Sequence, residues 1–386
     1  MTTFEGMPPR AAWIEIDLEQ LRRNFGLIRA VAPRLEILSV VKAGAYGHGS
    51  VPVAQVALAG GADMLGVATL GEAAVLRDAG ITAPILLFGN HPPECFQGIR
   101  ELDLIPALSD LDSTRALNQF ARAGHWTPKV HLKVNTGMNR YGFRSEEVGN
   151  WLPRVRECEA LRCTGVFSHF VMSDEADKSF AHEQRRRFQA VLDAMATANF
   201  APGCRHLGNS GAFLDLPEAH YDRVRLGILP LGVYPSRVCR RLPGIEPVLS
   251  VKARIAALAD LAAGETVGYG LKYVAPGPRR VAIVPVGYAD GYPRLRNAGQ
   301  ALVHGQRAPL VGGVAMDALA VDVTEVPAVA MFDEVVLLGS QGGEEIRVEE
   351  LAQLGQTVSY DILAGWRNRL PRVFRGGGAA SKGVAR

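Results

Sequence analysis

Cysteine is scarce in this sequence of 386 residues: it occurs five times, with no CxxC pair. An odd set without close spacing does not build a disulfide framework or a zinc site, so we expect reduced thiols in a cytosolic protein and no metal centre. Long apolar runs are missing too, since no stretch reaches the roughly 18 residues of a transmembrane helix. The first residues, MTTFEGMPPRAAW, have no apolar run after a basic start, so we expect no signal peptide.

Charge of one sign is not in excess either. The chain has 42 Lys and Arg against 39 Asp and Glu, and no long basic block accompanies the formal net charge of +3. Nucleic acid is therefore a poor candidate for a partner. Hydrophobic residues make up 48% and charged residues 21%, which is typical of globular proteins and excludes disorder over most of the chain. The length suits one large domain plus a second.

Short apolar runs alternate with longer amphipathic stretches over the first part of the chain. The eight runs lie at residues 36–41, 63–68, 84–88, 104–108, 129–134, 163–170, 205–209 and 223–229. Strands that are apolar throughout and separated by helices predict a parallel sheet, and eight units predict a closed TIM-like (β/α)8 barrel of α/β class. An open doubly wound sheet also alternates, but no GxGxxG follows the first strand. We place the barrel at residues 18–242.

The sequence pattern changes in the remainder of the chain. Short runs joined by Gly, Pro and Asp turns predict a second, mostly β domain at residues 243–375. One further strand is predicted at 12–17, ahead of the barrel, and it could belong to either domain. Residues 376–386 are small and predict a flexible tail.

A lysine follows the first barrel strand, at the face where the sites of such barrels lie. Near a low-dielectric floor the ammonium form of Lys42 is disfavoured, so its pKa should fall below about 10.4. A neutral amine is nucleophilic, as Schiff-base chemistry requires. The alternative interpretation is an ordinary surface lysine whose stem packs on apolar groups while its amine reaches water.

Polar residues also follow four other strands. They are Arg140, His169, His206, Asn209, Ser210 and Arg225, with Gly227 and Ile228 after the last strand. Loops after strands 7 and 8 are the usual phosphate seat of this fold, and a hydroxyl with exposed backbone N–H groups suits a phosphate. Singly, each residue has an ordinary explanation, such as a core histidine, half of an ion pair or a helix cap. Together, a lysine and a phosphate seat at one barrel mouth indicate pyridoxal 5'-phosphate, whose aldehyde and phosphate need these two features.

Ordered motifs extend this reading over nearly the whole chain, from about residue 12 to 374. They are VVKAGAYGHG, KVNTGMNRYGF, FSHF, RLGI, VGYG, VGYADGYPR, VAMD and SYDIL. In this order they resemble the alanine racemase family. The resemblance implies a cytoplasmic pyridoxal-phosphate enzyme, homodimeric with shared active sites, that interconverts L- and D-alanine and supplies D-alanine for peptidoglycan.

The resemblance also implies a role for each matching residue. Lys42 would hold the cofactor and act as one base, and Tyr269 of the partner subunit would act as the other. The implied cofactor contacts are Tyr46, His169, Asn209, Ser210, Arg225, Gly227, Ile228 and Tyr360, with Arg225 at the pyridine nitrogen. Arg140 and the backbone at Met316 would hold the substrate carboxylate, and Tyr288 and Arg294 would line the entry passage. Lys133 matches a lysine that some members carry as a carbamate.

Four positions depart from the family's common pattern. They are Gly44, Leu231, Gly313 and Ala315, of which Gly313 stands where many members place an entrance arginine. Its loss could widen the passage, so a racemase of broader preference, for serine or lysine, is the main alternative. Decarboxylation is another, which Arg225 opposes because related decarboxylases place a carboxylate at the ring nitrogen. The last alternative is a non-catalytic barrel that carries the cofactor, which the β domain with Tyr269 opposes.

Overall fold

The computed structural model describes residues 10–376, which form two compact units. The barrel unit consists of Arg22–Ala45 and Ser50–Glu246. The β unit consists of Tyr46–Gly49 and the described parts of Met1–Leu21 and Pro247–Arg386. The predicted flexible tail, 376–386, lies outside the described residues except for its first glycine.

The first strand, β1 (Ala12–Asp17), is the strand predicted at 12–17, ahead of the barrel. It pairs antiparallel with residues 249–253 and parallel with residues 372–375, so that Ile14 lies opposite both Val251 and Arg372. Both partners lie in the β unit. The N-terminal strand is therefore part of the C-terminal sheet, and no pattern within the strand itself could have named its partners.

The barrel unit is built on eight parallel strands, as the apolar runs predict. The strands are β2 (Glu36–Val40), β3 (Met64–Val67), β4 (Ile85–Leu87), β5 (Leu104–Leu108), β6 (Lys129–Asn135), β8 (Arg162–Phe167), β9 (Cys204–His206) and β10 (Arg223–Leu226), with a short β7 (Phe143–Arg144) beside β6. They follow the order β10-β2-β3-β4-β5-β6-β8-β9. Two backbone hydrogen bonds, from Asp222 to Arg205 (3.0 Å) and from Arg225 to Gly208 (2.9 Å), link the last two segments. The barrel is thus nearly closed.

Helices alternate with these strands. They are α1 (Leu18–Val31), α3 (Ser50–Ala59), α4 (Leu70–Asp78), α5 (Phe96–Glu101), α6 (Leu111–Ala123), α7 (Val148–Arg156), α8 (Ser179–Thr197) and α9 (Ser210–Asp215), whereas the short segment α2 (Lys42–Tyr46) is a left-handed turn. Every residue of β3, β5 and β10 is buried, because helices cover one face of the sheet and barrel side chains fill the other. This burial on both faces explains why the strands lack apolar–polar alternation in the sequence.

The β unit holds a ten-stranded sheet of order β12-β15-β18-β17-β16-β19-β11-β1-β21, with β20 on β19. Its elements are β11 (Leu249–Arg254), β12 (Ala257–Leu261), β13 (Thr266–Val267), β14 (Tyr273–Val274), β15 (Arg279–Val284), β16 (Gln300–Val303), β17 (Gln306–Val311), β18 (Leu319–Asp322), β19 (Glu334–Gln341), β20 (Glu344–Ile346), α10 (Val348–Leu354), α11 (Ser359–Gly365) and β21 (Arg372–Arg375). The predicted mostly β character is confirmed. Within residues 10–376, no helix has both the length and the apolar character needed to cross a membrane.

Candidate active site

Lys42 opens a strained turn at the end of β2. The four residues after it, Ala43 to Tyr46, all have positive φ angles of 51°, 62°, 52° and 53°. A left-handed conformation costs roughly 1–2 kcal/mol for a residue with a Cβ, so the strain falls on the two alanines and the tyrosine. Gly44 carries none, and asparagine and aspartate are the other residues that tolerate this region. The departure at Gly44 therefore suits the backbone.

The Lys42 amine lies among cations. It is half-buried, and its Nζ makes no hydrogen bond within residues 10–376. Burial lowers the pKa of Lys42 below its usual range; Arg140 and Arg225 lower it further, and Glu72 partly opposes them. The direction agrees with the sequence prediction, because desolvation and nearby positive charge both favour the neutral amine. Arg140 itself is exposed, and it forms no hydrogen bond with the described part of the chain.

A second lysine lies deeper in the barrel. Lys133, on β6, is 8% exposed, and its Nζ has no hydrogen-bond partner among the described residues. The Nζ lies 4.9 Å from the centroid of the Phe167 ring. Burial, then Arg225 and Arg140, hold the pKa of Lys133 well below its usual range. A buried unpaired ammonium is costly, so this position favours either a neutral amine or an added anionic group.

Arg225 connects three strand ends. It is 4% exposed, and its Nη1 donates to the His206 carbonyl (3.0 Å) and to His206 Nδ1 (3.2 Å). Its Nη2 donates to the carbonyls of Ser168 (2.7 Å) and Leu207 (3.1 Å) and to His169 Nδ1 (3.0 Å). Within residues 10–376 its Nε–H has no partner. Burial lowers the pKa of Arg225 to about 9, so it remains a cation at neutral pH.

Three neutral histidines surround this arginine. Because Arg225 donates to the Nδ1 atoms of His206 and His169, the ring proton of each lies on Nε2. His206 then donates from Nε2 to Nδ1 of His131 at 3.0 Å. Burial first, then neighbouring cations, lower the pKa of His131 to about 3 and hold those of His169 and His206 well below their usual range.

Sequence reasoning missed His131. It precedes Lys133 by two residues on β6, so the two side chains lie on one side of the strand, and both are buried. Two polar residues at this spacing inside an apolar strand were the available signal.

The predicted phosphate residues of the barrel unit lie together. Ser210 Oγ accepts a hydrogen bond from the Gly227 N–H at 3.4 Å, and the buried Ile228 follows. Asn209, not Ser210, caps α9: its Oδ1 accepts the Ala212 N–H at 3.0 Å. The Ser210 hydroxyl is therefore not consumed as a helix cap. The departure at Leu231 is a buried apolar residue, 2% exposed.

Two other predicted phosphate residues meet within the β unit. The rings of Tyr46 and Tyr360 pack edge to face with centroids 6.0 Å apart. Gly47 makes the neighbouring backbone approach possible, because a Cβ there would lie 2.2 Å from the Leu363 carbonyl oxygen. Its φ of 81° also favours glycine.

Tyr269 is presented outward on a tight turn. It begins the 3₁₀ segment Tyr269–Leu271, between Gly268 (φ 76°) and Gly270 (φ 74°), and it is 82% exposed. A Cβ at Gly313 would meet a single heavy atom within 4 Å, Arg296 Nε at 3.9 Å. The exposed Tyr269 side chain, with open space around nearby Gly313, is available to contact a ligand or another chain and does not pack in the core of its own chain.

The predicted entry residues and Met316 lie on two linked loops of the β unit. Tyr288 N–H donates to the Ala315 carbonyl and Ala289 N–H to that of Met316, both at 3.0 Å. The Arg294 guanidinium lies 5.7 Å from the centroid of the Tyr288 ring, and both residues line an open cleft of about 510 Å³. Met316 is 52% exposed, and its own N–H bonds to no described residue. Ala315 contributes a carbonyl, so the departure there leaves this contact intact.

A nearly closed α/β barrel with a lysine amine and two arginines at its mouth, followed by a β domain, defines a class of two-domain barrel enzymes. Family models for the N-terminal and C-terminal domains of alanine racemase match residues 16–235 and 248–374. The chain belongs to the alanine racemase family.

Individual relatives agree over nearly full length. An alanine racemase of Syntrophobacter fumaroxidans is 42% identical, covering 95% of this chain and 98% of its own, and one of Halothermothrix orenii is 39% identical, covering 95% and 97%. Among solved structures, the Bacillus anthracis alanine racemase with bound L-Ala-P has a TM-score of 0.90 at 34% identity, covering 98% of this chain and 97% of its own. The enzyme from D-cycloserine-producing Streptomyces lavendulae has a TM-score of 0.90 at 35% identity, covering 96% and 98%.

Proposed function

We propose that this protein interconverts L- and D-alanine with pyridoxal 5'-phosphate held at Lys42. The observation that carries the proposal is the Lys42 amine, half-buried and depressed in pKa beside Arg140 and Arg225, in a chain of the alanine racemase family. As the resemblance implies, the enzyme acts in the cytoplasm and its D-alanine enters peptidoglycan.

The residues present fit this cofactor. Lys42 offers an amine, and Ser210 with the Gly227 backbone would contact the phosphate. The described side-chain bonds of Arg225 all come from its two Nη atoms, so its Nε–H would serve the ring nitrogen. Asn209, Ile228, Tyr46 and Tyr360 remain predicted cofactor residues, and Tyr288 and Arg294 remain predicted residues of the entry passage. When bound, pyridoxal phosphate supplies an electron sink for the amino acid's α-carbon.

Two side chains would exchange the α-proton. Inversion needs a proton removed from one face of the α-carbon and returned to the other, so one base on each face is required. Lys42 Nζ would serve one face and Tyr269 Oη the other. Because Tyr269 is 82% exposed in its own chain, we place it at the active site of the partner subunit in a homodimer.

Arg225 favours racemisation over decarboxylation. Its positive charge is held rigidly by five contacts. Beside the cofactor's ring nitrogen, this fixed cation would oppose protonation of the nitrogen, which would weaken the electron sink and favour return of the α-proton over loss of carbon dioxide. His169, kept neutral by burial and by Arg225, would lie against the ring without adding charge.

The substrate carboxylate would bind to Arg140 and the Met316 N–H, neither of which has a hydrogen-bond partner within residues 10–376.

We further propose that Lys133 carries a carbamate. Carbon dioxide added to the neutral amine, with loss of one N–H proton, would convert a buried amine without a partner among the described residues into a carbamate anion, whose charge Arg140 and Arg225 would favour.

Purified protein reconstituted with the cofactor tests this function directly. We expect chiral chromatography to show interconversion of L- and D-alanine, with the Lys42→Ala variant inactive. An absence of alanine turnover, or full activity in that variant, would contradict the proposal.

A broader racemase is the second candidate, favoured by the open space around Gly313. Serine and lysine assayed beside alanine decide between the two: comparable kcat/KM values for all three would support the broader activity.

The shared site has its own test. Mixed Lys42→Ala and Tyr269→Phe subunits should regain about a quarter of wild-type activity, since half the random dimers would contain one intact site of two. No recovery after confirmed subunit exchange would count against a shared site.

A further inference from the structure

Glu72 binds three backbone N–H groups with one carboxylate. Its Oε2 accepts from Ala68 (2.8 Å) and Thr69 (3.2 Å), and its Oε1 accepts from Ala43 at 2.7 Å. The bond to Thr69, together with the Glu72 N–H donated to Thr69 Oγ1 (3.2 Å), completes a capping box at the start of α4. A capping box needs no third bond, and the bond to Ala43 reaches 29 residues back along the chain.

That third bond falls on the residue next to Lys42. Ala43 has a φ of 51°, a conformation that its Cβ makes unfavourable and that persists only where surroundings enforce it. Two backbone bonds also hold this segment, Val41 N–H to Gly66 and Ala45 N–H to Val41, both at 2.9 Å. Among the described residues, Glu72 is the one whose side chain bonds to the backbone N–H next to Lys42.

Charge adds a second effect. Arg140 and Arg225 disfavour the protonated amine of Lys42, whereas Glu72 favours it. Among the described groups that shift the pKa of Lys42, Glu72 is the carboxylate, and it opposes the effect of the two guanidinium groups. An uncharged capping residue at position 72 could still begin the helix, but it would not offset the positive charges of Arg140 and Arg225 near Lys42.

We propose that Glu72 is a positioning residue that holds the strained turn after Lys42 and so aims the lysine amine at the barrel mouth. The inference rests on the proposed function of Lys42 and extends it to a residue outside the reacting groups. Its role differs from helix capping, because Thr69 caps the same helix without bonding to Ala43.

Three variants separate positioning from capping. Glu72→Ala removes the charge, the Ala43 bond and the two bonds from Ala68 and Thr69. Glu72→Gln removes the charge but retains an acceptor oxygen, and Thr69→Ala removes only the cap hydroxyl. The first readout is labelling of Lys42 in the cofactor-free protein by an amine-selective reagent across pH, quantified by mass spectrometry. The second is kcat and KM for alanine in the reconstituted enzyme.

We expect the labelling midpoint of Lys42 to move to lower pH in both Glu72 variants and to stay at the wild-type value in Thr69→Ala. We expect kcat to fall about tenfold to a hundredfold in Glu72→Ala with KM little changed, as for a reacting group displaced by about 1 Å. Glu72→Gln should retain more kcat than Glu72→Ala, because its oxygen can still accept from Ala43.

Equal effects of Thr69→Ala and Glu72→Ala on kcat, or an unmoved labelling midpoint in both Glu72 variants, would overturn the inference. If Glu72→Ala does not fold, Glu72→Gln, with its similar volume, still tests the charge of Glu72 through the labelling midpoint of Lys42, and an unmoved midpoint then overturns the inference. Because labelling uses no cofactor, a failure of alanine racemisation in the wild-type protein is distinguishable from a failure of Glu72 to act on Lys42.

Discussion

Replacing Arg225 by methionine should destabilise the barrel unit strongly, in addition to abolishing racemisation. The variant leaves the carbonyl oxygens of Ser168 and Leu207 and two imidazole nitrogens without the donor that Arg225 supplies, whereas the His206 carbonyl keeps the Ser168 N–H at 3.3 Å. Breaking a buried network of a charged group typically costs about 3–5 kcal/mol. At about 2–4 °C per kcal/mol for units of 150–250 residues, Tm should fall by roughly 6–20 °C.

The matched control is Arg205→Met. Arg205 forms a two-pronged ion pair with Asp222 at 2.8 and 2.7 Å, but its side chain is 47% exposed. A surface pair contributes about 0–1 kcal/mol, so we expect a shift of a few degrees at most. Thermal unfolding of the cofactor-free proteins, followed by circular dichroism, compares the two variants. Equal shifts would refute the view that Arg225 organises the buried network.

Three further outcomes are expected. The buried histidines, such as His131 with its pKa of about 3, stay neutral when folded, so the unfolded state binds more protons below about pH 6.5. Their stabilising contribution is complete above that pH and is lost as pH falls toward 3. In His131→Phe, the free energy of unfolding measured with urea should therefore fall less steeply as the pH is lowered than in the wild-type protein. An unchanged pH dependence would count against neutral histidines. Gly47→Ala should lower both Tm and cofactor affinity, because its Cβ would lie 2.2 Å from a backbone oxygen, whereas Gly80→Ala, with a similar φ of 77° and nothing within 4 Å, should lower Tm less and leave affinity unchanged. Equal effects of the two would contradict this. Gly313→Arg should lower kcat/KM for serine and lysine more than for alanine, and a uniform change would show that Gly313 does not set preference.

Physical regularities explain how much of the fold the sequence could predict. The eight barrel strands are apolar throughout because both faces are buried, so each one appears as a local run of letters. The placement of β1 was not accessible in the same way. Its pairing with β11 and β21 depends on segments more than 200 residues away, and a strand carries no local mark of its partners.

The candidate site divides along the same line. Lys42, Ser210 and Gly227 could be found because each follows a strand, and barrel topology alone brings strand ends together. Glu72 could not, since its bond to Ala43 depends on a left-handed turn that no residue pattern announces. His131 was missed for another reason: a histidine inside an apolar strand resembles a core residue until His206 is seen beside it.

Borohydride reduction of the reconstituted protein, followed by peptide mapping, shows which lysine holds the cofactor. We expect visible absorbance to be lost and one labelled peptide to carry the pyridoxyl group on Lys42. Label on Lys133 or on scattered surface lysines, or no cofactor absorbance before reduction, would contradict this expectation.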